Sequence, residues 1–416
     1  MSDKSQVVVV GAGVIGLACA YYLERAGYTV TVIDQETAGG ACSQSNCGYI
    51  CPCHVLPLNE PGAIGTSLKS MLRPNGPFKI KPRMDPALWH WLFQFAIRCR
   101  HRYMLEAGRA LQTILEASMA EYNTLMEREH FDCEWRKQGL LYVLRTAQGF
   151  DAQSRTDDLL AREFGIRAKR MNGAELHAMD PGYRNDLAGA FLYQEDASLN
   201  PARFTAALRG FLEARGVTLV EHCGLKAIRK QAGKVTALVT GQGELAAAQV
   251  VLATGALSPH WQEALELKLP IQPGKGYSIT TDQLNGPTYP ALLPEHRVGL
   301  SPLQNGLRVG SMMEFTGYDS SIPQRRLELL RSSANEYLAQ PLATTDGEPW
   351  YGWRPMTYDS LPIIGPTPHL SNAFVATGHG MLGMSLAPIT GRLIAELVGG
   401  GKPHIDPSPY RADRFR

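Results

Sequence analysis

The residues of this chain best suited to chemistry are glycines in tight sets, a loop of small polar residues and cysteines, and one arginine among aromatics. Near the N-terminus, Val7-Val8-Val9-Val10 runs into Gly11-Ala12-Gly13-Val14-Ile15-Gly16, and Asp34 closes the next apolar run. Gly11 supplies a tight turn, Gly13 lets backbone approach a pyrophosphate, and Gly16 lets the following helix lie close to the strand. A helix from Val14 to about Ala26 then aims free N–H groups and its positive dipole end at a diphosphate. Gly27 stops that helix, Tyr28 to Ile33 make a second strand, and Asp34 arrives where a carboxylate accepts hydrogen bonds from a ribose diol. The pattern predicts a bound dinucleotide.

Three further sets stand out. The turn Thr377-Gly378-His379-Gly380-Met381-Leu382-Gly383 joins a strand at Ala373 to Ala376 to an apolar helix, and it carries more glycine than a plain connection needs. Ala253-Thr254-Gly255-Ala256 ends another strand with residues small enough for backbone to crowd a ligand. Cys42, Cys47, Cys51, Cys53 and His54 are ligand types for a metal or iron–sulfur site. The run has no Cys-x-x-Cys pair, however, and Pro52 stiffens its middle. It reads more simply as an active-site loop packed by small polarisable side chains. Arg354 follows Trp350, Tyr351 and Trp353. Its planar fork suits a carboxylate in a dry cavity, or cation–π contact at a surface.

Positioning these groups takes a large fold. At 416 residues the chain can build two domains with separate cores, and 44% hydrophobic residues indicate a globular protein. A net charge of +2 gives no drive toward nucleic acid. No apolar run reaches the length of about 18 residues that a membrane-spanning helix needs. The polar stretch Ser2 to Gln6 leads straight into a strand, without a basic region and cleavage site, so a cytoplasmic protein is expected. Cys19, Cys99, Cys133 and Cys223 stand singly, as small residues of a reducing compartment do.

Along the chain, Gly39 to Leu58 is a loop rich in Gly, Ser, Asn, Cys and Pro. Residues from Asp85 to about Arg128 read as helix, with Trp89, Leu92, Phe93, Ala96 and Ile97 recurring on one face. Lys69, Arg73, Lys79, Lys81 and Arg83 precede that face, and Arg98, Arg100, His101 and Arg102 follow it. A membrane-surface patch would use these residues, but a helix packed on its own domain with snorkelling arginines is the expected arrangement. Strands are expected at Gly139 to Leu144, Ala188 to Tyr193, Val217 to Val220 and Gly306 to Ser311. Lys234 to Thr240 and Glu244 to Ala253 should form a hairpin-like pair. Asn200-Pro201 starts a helix as N-cap and first helical residue, and a further helix is expected from Pro323 to Tyr337. Pro388 lies in the C-terminal helix, where a buried proline costs ~3 kcal/mol, so the helix either begins near it or kinks there.

Three segments together resemble one family: Gly11 to Gly16, Ser43-Gln44-Ser45-Asn46-Cys47-Gly48, and Gly352-Trp353-Arg354-Pro355 through to Met384. They are similar to the flavin-dependent D-amino-acid oxidases and dehydrogenases, with glycine and sarcosine oxidases as relatives and the bacterial D-amino-acid dehydrogenase branch nearest. The resemblance spans the whole chain and is looser at 60–135 and 265–345. It implies an α/β fold: a glutathione-reductase-type, Rossmann-like FAD-binding domain (1–65, 200–262 and 350–416) carrying an inserted α+β substrate domain (66–199 and 263–349).

The cofactor contacts it implies are Gly11, Gly13, Val14, Ile15, Gly16, Asp34 and Gln35 at the nucleotide end. Ser43, Ser45, Asn46, Cys47 and Gly48 would pass beside the isoalloxazine, with Ala253, Thr254 and Gly255 near them. Gly380, Met381, Leu382, Gly383 and Met384 would cradle the pyrimidine, where a helix N-terminus receives negative charge at N1 and C2=O. Arg354 would bind the substrate carboxylate. Tyr277 would assist from a strand edge, and His54, Tyr49 and Tyr318 would wall the pocket. Sarcosine oxidases attach FAD covalently through a cysteine near the positions of Gly352 and Trp353. No cysteine follows Cys223 here, so FAD is expected to bind noncovalently. The implied reaction passes the α-hydrogen of a D-amino acid to flavin N5 as hydride, giving an imino acid that hydrolyses to keto acid and ammonia. Electrons would then reach a quinone or electron-transfer acceptor, with the basic–aromatic segment touching the inner membrane. The competing expectations are oxidation of a secondary amine or small amino acid such as D-hydroxyproline, sarcosine or glycine, and reoxidation by oxygen.

Overall fold

The computed structural model describes residues 4–65, 76, 78–81, 83–342 and 347–415. Lys69 and Arg73 of the basic segment lie outside these residues. The apolar run at the N-terminus becomes the strand Lys4–Val10, placed centrally in a six-stranded sheet among the described residues. The strand order is Ile363–Pro366, Ala373–Thr377, Gln249–Leu252, Lys4–Val10, Tyr28–Ile33 and Thr218–Val220. All neighbours are parallel except the edge pair Ile363–Pro366 and Ala373–Thr377. Both faces are covered, which is why Val7 to Val10 are uniformly apolar. Val7 and Val9 pack against the helices Val14–Arg25 and Gly383–Val398. Val8 and Val10 face a three-stranded sheet of Leu225–Gln231, Lys234–Thr240 and Gly243–Ala246. The expected hairpin partner of Lys234–Thr240 therefore stops at Ala246, and Gln249–Leu252 is a separate strand of the parallel sheet.

A larger, mixed sheet forms a second part of the fold. Its order runs Glu348–Thr357, Ile271–Thr281, Gly306–Phe315, Val298–Leu303, Ala291–Leu293, Leu140–Leu144, Gly189–Tyr193 and Lys169–Asn172, with Phe78–Ile80 also on Gly306–Phe315. One face packs on the helix Gln324–Asn335. The other presents Gly274, Gly276, Gly299, Gly310 and Gly352, over which Met356, Arg354, Cys47 and Trp350 lie. Residues 350–357, expected within the nucleotide-binding part, instead pair with Ile271–Thr281 from Thr357↔Ile271 to Trp350↔Ser278. Arg354 therefore belongs to the mixed sheet.

The expected helix beyond Asp85 is two helices, Pro86–Arg98 and His101–Glu129, broken at Cys99 and Arg100. The first buries Leu88 and Trp91 and leaves Trp89 54% and Phe93 62% exposed. The face expected to pack inward is thus split: Leu92 packs on the core while Trp89 and Phe93 look outward, because Trp91 rather than Trp89 fills the gap beside Phe315. The second helix, expected in the substrate domain, lies against the nucleotide-binding domain. Its Tyr122 hydroxyl donates to the Met384 carbonyl at 2.5 Å, and Ser118 to that of Ser385 at 2.6 Å. This arrangement explains Pro388. Gly383–Val398 runs through the proline, whose missing N–H would have bonded Met384, and Tyr122 takes the freed acceptor.

Candidate active site

The glycine turn has the geometry its sequence demands. Gly11 has φ +102°, and a Cβ there would meet the Ala253 carbonyl oxygen at 2.5 Å. A Cβ on Gly16 would lie 1.7 Å from the Gly11 carbonyl oxygen, so the helix Val14–Arg25 can reach the strand only because this position lacks one. Asp34 closes the turn from the next strand. Its Oδ2 accepts Ala12 N–H at 2.6 Å and its Oδ1 accepts Glu36 N–H at 2.8 Å. Burial pushes its pKa up, and those two N–H groups oppose the shift. One lone pair on each oxygen stays available for a diol.

Ser43 links the turn to the loop. Its hydroxyl accepts Val14 N–H at 2.9 Å. Asn46 folds the loop on itself: Nδ2 donates to Ser43 O at 2.9 Å and Oδ1 accepts Gly48 N–H at 2.8 Å. Gly48 has φ +69°, with the Leu199 carbonyl 2.0 Å from where its Cβ would stand. The Cys47 sulfur lies against the two glycines of the sheet, at 3.0 Å from a Cβ on Gly299 and 3.1 Å from one on Gly310. It fills the space they leave, and burial raises its pKa.

The turn at 377–383 is tied to the arginine strand, since Gly380 N–H donates to Pro355 O at 3.0 Å. His379 is 4% exposed and its Nε2 lies 3.0 Å from Thr390 Oγ1. Burial lowers its pKa to about 3, so it is a neutral packing residue. Gly380 has φ +54°. The helix Gly383–Val398 then starts with no side-chain cap on its first N–H groups.

Arg354 lies across the glycine face. A Cβ on Gly276 would be 2.4 Å from its Nη1 and 2.5 Å from Nη2, so Gly276 is what lets the guanidinium lie flat. Nη1 donates to Met312 O at 2.7 Å. That carbonyl is turned inward by a bulge, in which Ser311 and Met312 have φ 136° and 63° and the register slips opposite Gly276. Arg354 makes no ion pair with a carboxylate among the described residues, and burial lowers its pKa, with the Cys47 and Cys42 thiols acting the other way.

The other expected pocket residues go elsewhere. Tyr277 lies on the opposite face of its strand from Gly276 and donates to Glu314 Oε2 at 2.5 Å. Glu314 is also paired with Arg326. Strand alternation thus aims Tyr277 at the helix layer rather than at Arg354, and the pairing of the two strands runs without a break. Tyr49 donates to the Ala291 and Leu300 carbonyls, both at 2.9 Å. Tyr318 donates to Ala256 O at 2.8 Å and sets its ring against Trp353. His54 is half-buried, and burial holds its imidazole neutral. Cys51 and Cys53 point at the buried carboxyl of Asp196, whose Oδ2 accepts Cys53 Sγ at 2.8 Å. Sequence order had put every cysteine far from Trp353, yet folding brings Cys42 there: Sγ accepts Trp353 N–H at 3.0 Å and donates to Trp353 O at 3.1 Å. Arg308 was missed altogether. It is buried and donates through Nη1 to Asn46 O at 2.9 Å. A lone arginine within the apolar strand Leu307-Arg308-Val309 was the signal for it.

These donor sets fit FAD. The glycine turn and Asp34 suit its nucleotide half, and the loop at 43–48 with the uncapped helix N-terminus suits its ring. Among known proteins, residues 6–397 match the family described as FAD dependent oxidoreductase. A D-amino acid dehydrogenase of Paramagnetospirillum magneticum is 34% identical over 99% of both chains. One from Agrobacterium fabrum is 31% identical over 98% of this chain and 99% of its own. Among solved structures, glycine oxidase from Geobacillus kaustophilus superposes with a TM-score of 0.78 at 22% identity, covering 99% of this chain and 100% of its own. L-proline dehydrogenase from P. horikoshii gives 0.75 at 19% identity, covering 100% and 98%. The last two speak for the fold alone.

Proposed function

The chain belongs to the FAD-dependent oxidoreductase family, and from that premise we propose that it oxidises a D-amino acid to the imino acid, which water hydrolyses to a keto acid and ammonia. One observation carries the substrate class: a half-buried guanidinium, Arg354, lies across a glycine face beside the flavin loop without a carboxylate partner of its own among the described residues. A partly desolvated charge without a carboxylate partner is a ready anion site, and a substrate carboxylate would meet it with two charge-assisted hydrogen bonds. Bound FAD supplies the hydride acceptor at N5. The protein's part is orientation. Arg354 fixes the carboxylate, so the α-hydrogen meets the ring in one pose, and a neutral amine releases its electron pair without help from a side-chain base. The uncapped N–H groups at the start of Gly383–Val398 stabilise the negative charge that arrives with the hydride.

The acceptor proposed for the electrons is a quinone or electron-transfer partner. Trp89 and Phe93, one helical turn apart, are exposed, as is Met84, with Lys79 and Lys81 near in sequence, and such residues suit peripheral contact with an anionic membrane. None of the described helices is long and apolar enough to cross a membrane. FAD is proposed to bind noncovalently, because the exposed Cys42 donates its S–H to the Trp353 carbonyl and only a thiolate is an effective nucleophile.

The test is anaerobic mixing of the holoenzyme with D-amino acids, their L-enantiomers, sarcosine, glycine and D-hydroxyproline, followed by flavin absorbance. Bleaching by D-amino acids first supports the reading, whereas bleaching only by the secondary amines moves the substrate to that class. Peroxide formed in stoichiometric yield with air would replace the dehydrogenase by an oxidase.

A further inference from the structure

Three consecutive carbonyls of the flavin loop are held from the substrate sheet. Ser278 Oγ donates to Ser45 O at 2.8 Å, Arg308 Nη1 to Asn46 O at 2.9 Å and Ser301 Oγ to Cys47 O at 2.7 Å. The donors come from three different strands, Ile271–Thr281, Gly306–Phe315 and Val298–Leu303. In a trans peptide the N–H points opposite to its carbonyl, so the amides of Asn46, Cys47 and Gly48 are directed away from the sheet. That of Gly48 is satisfied within the loop by Asn46 Oδ1. Those of Asn46 and Cys47 have no protein acceptor among the described residues. The sheet therefore fixes two unused donors on the far side of the loop.

Arg308 differs from the two serines in carrying a charge. It is 6% exposed, with Nε donating to Thr280 Oγ1 at 2.9 Å. Glu348 and Glu134 act on it only through space, without an ion pair among the described residues. Its charge is therefore met only by groups at a distance, in a region where electrostatic effects are strong. A cation on the Asn46 carbonyl polarises the Asn46–Cys47 peptide and makes the Cys47 N–H a stronger donor.

We propose that Arg308 is a positioning residue for the cofactor: through the Asn46–Cys47 peptide it sets an N–H donor against the flavin, and its buried charge raises the flavin's reduction potential. The inference rests on FAD binding but not on which amino acid is oxidised. The test is a dye-equilibrated potential titration of the holoenzyme without substrate, alongside FAD affinity, for wild type, Arg308→Gln, Arg308→Lys and Ser278→Ala.

Arg308→Gln is expected to shift the oxidised–reduced equilibrium about tenfold toward oxidised flavin, about 30 mV for a two-electron couple. Arg308→Lys, which keeps the charge, should recover most of that shift. Ser278→Ala loosens the same loop without removing charge, and should weaken FAD binding while leaving the potential in place. Equal shifts in Arg308→Gln and Ser278→Ala, or an Arg308→Gln potential equal to wild type, overturn the proposal. Should Arg308→Gln not retain FAD, Thr280→Asp neutralises the guanidinium without deleting it. Its potential must fall while that of Thr280→Val does not, and the absence of such a fall overturns the proposal. A wild-type chain that bound no FAD would overturn this inference and the functional reading together. A holoenzyme with an unmoved potential counts against Arg308 alone.

Discussion

Replacing Gly276 by alanine adds a single methyl group at the point where the glycine face meets Arg354. That methyl would lie 2.4, 2.5 and 2.6 Å from Nη1, Nη2 and Cζ of the guanidinium. Ordinary contact needs about 3.5 Å, so the guanidinium must move by roughly 1 Å. It is the far end of a flexible side chain, so the fold itself loses little. Alanine in a strand is even favoured over glycine, by roughly 0.5–1 kcal/mol. Catalysis depends on the position of that group. A misplacement of about 1 Å costs on the order of 10²-fold, which corresponds to about 2.7 kcal/mol in the barrier. We therefore expect Gly276→Ala to keep its FAD and its melting temperature while kcat/KM for the D-amino acid falls about 10²-fold. Steady-state kinetics with the best amino acid of the panel measures it, and a double-mutant cycle isolates the cause. In an Arg354→Met background the alanine should cost almost nothing more. An unchanged kcat/KM in the single variant, or the full loss repeated without Arg354, would refute the argument.

Other outcomes follow from the same contacts. Tyr122→Phe leaves the Met384 carbonyl freed by Pro388 without a donor, and should lower stability by about 1–3 kcal/mol in denaturant unfolding, with weaker FAD retention because Met384 opens the cradle helix. Acid precipitation of the holoenzyme should release all flavin into the supernatant and leave apoprotein of unmodified mass; a mass increase on the peptide containing Cys42 would show covalent attachment instead. Asp196 has its carboxyl pKa pushed up to about 7 by burial. A raised pKa means its proton favours the folded state, so this contribution is complete below the unfolded value near 4 and is lost as pH rises through about 7. Asp196→Asn should therefore gain thermal stability relative to wild type as pH rises from 5 to 8, whereas parallel melting curves would contradict the shift.

Much of the nucleotide-binding half was legible because its signals are local. The valine run, the glycine spacing and Asp34 each act within one βαβ unit, and the structure keeps them within hydrogen-bonding reach. The substrate side was less so, for three physical reasons. Tyr277 and Arg354 sit on paired strands, but which face each residue takes depends on a register set between segments far apart in sequence, and the carbonyl that Arg354 meets comes from a bulge at Met312 on a third strand. Cys42 meets Trp353 across 311 residues of chain, a proximity that no spacing rule reveals. The helix after Asp85 shows an aromatic period whose inward face is set by Phe315 from a distant strand, so Trp89 and Phe93 emerge outward. Arg308 carried a readable clue, a charge inside an apolar strand, but its purpose depends on the loop carbonyl it meets.

The most direct test of the account is the concentration of D-amino acid that half-saturates anaerobic flavin reduction, compared between wild type and Arg354→Gln with FAD bound in both. Removing one partner of a desolvated charge pair typically costs about 2–5 kcal/mol, so the variant should need about 10²-fold more substrate or above, with its flavin spectrum intact. Half-saturation at the wild-type concentration would mean that Arg354 does not hold the carboxylate, and the proposed orientation of substrate would be wrong.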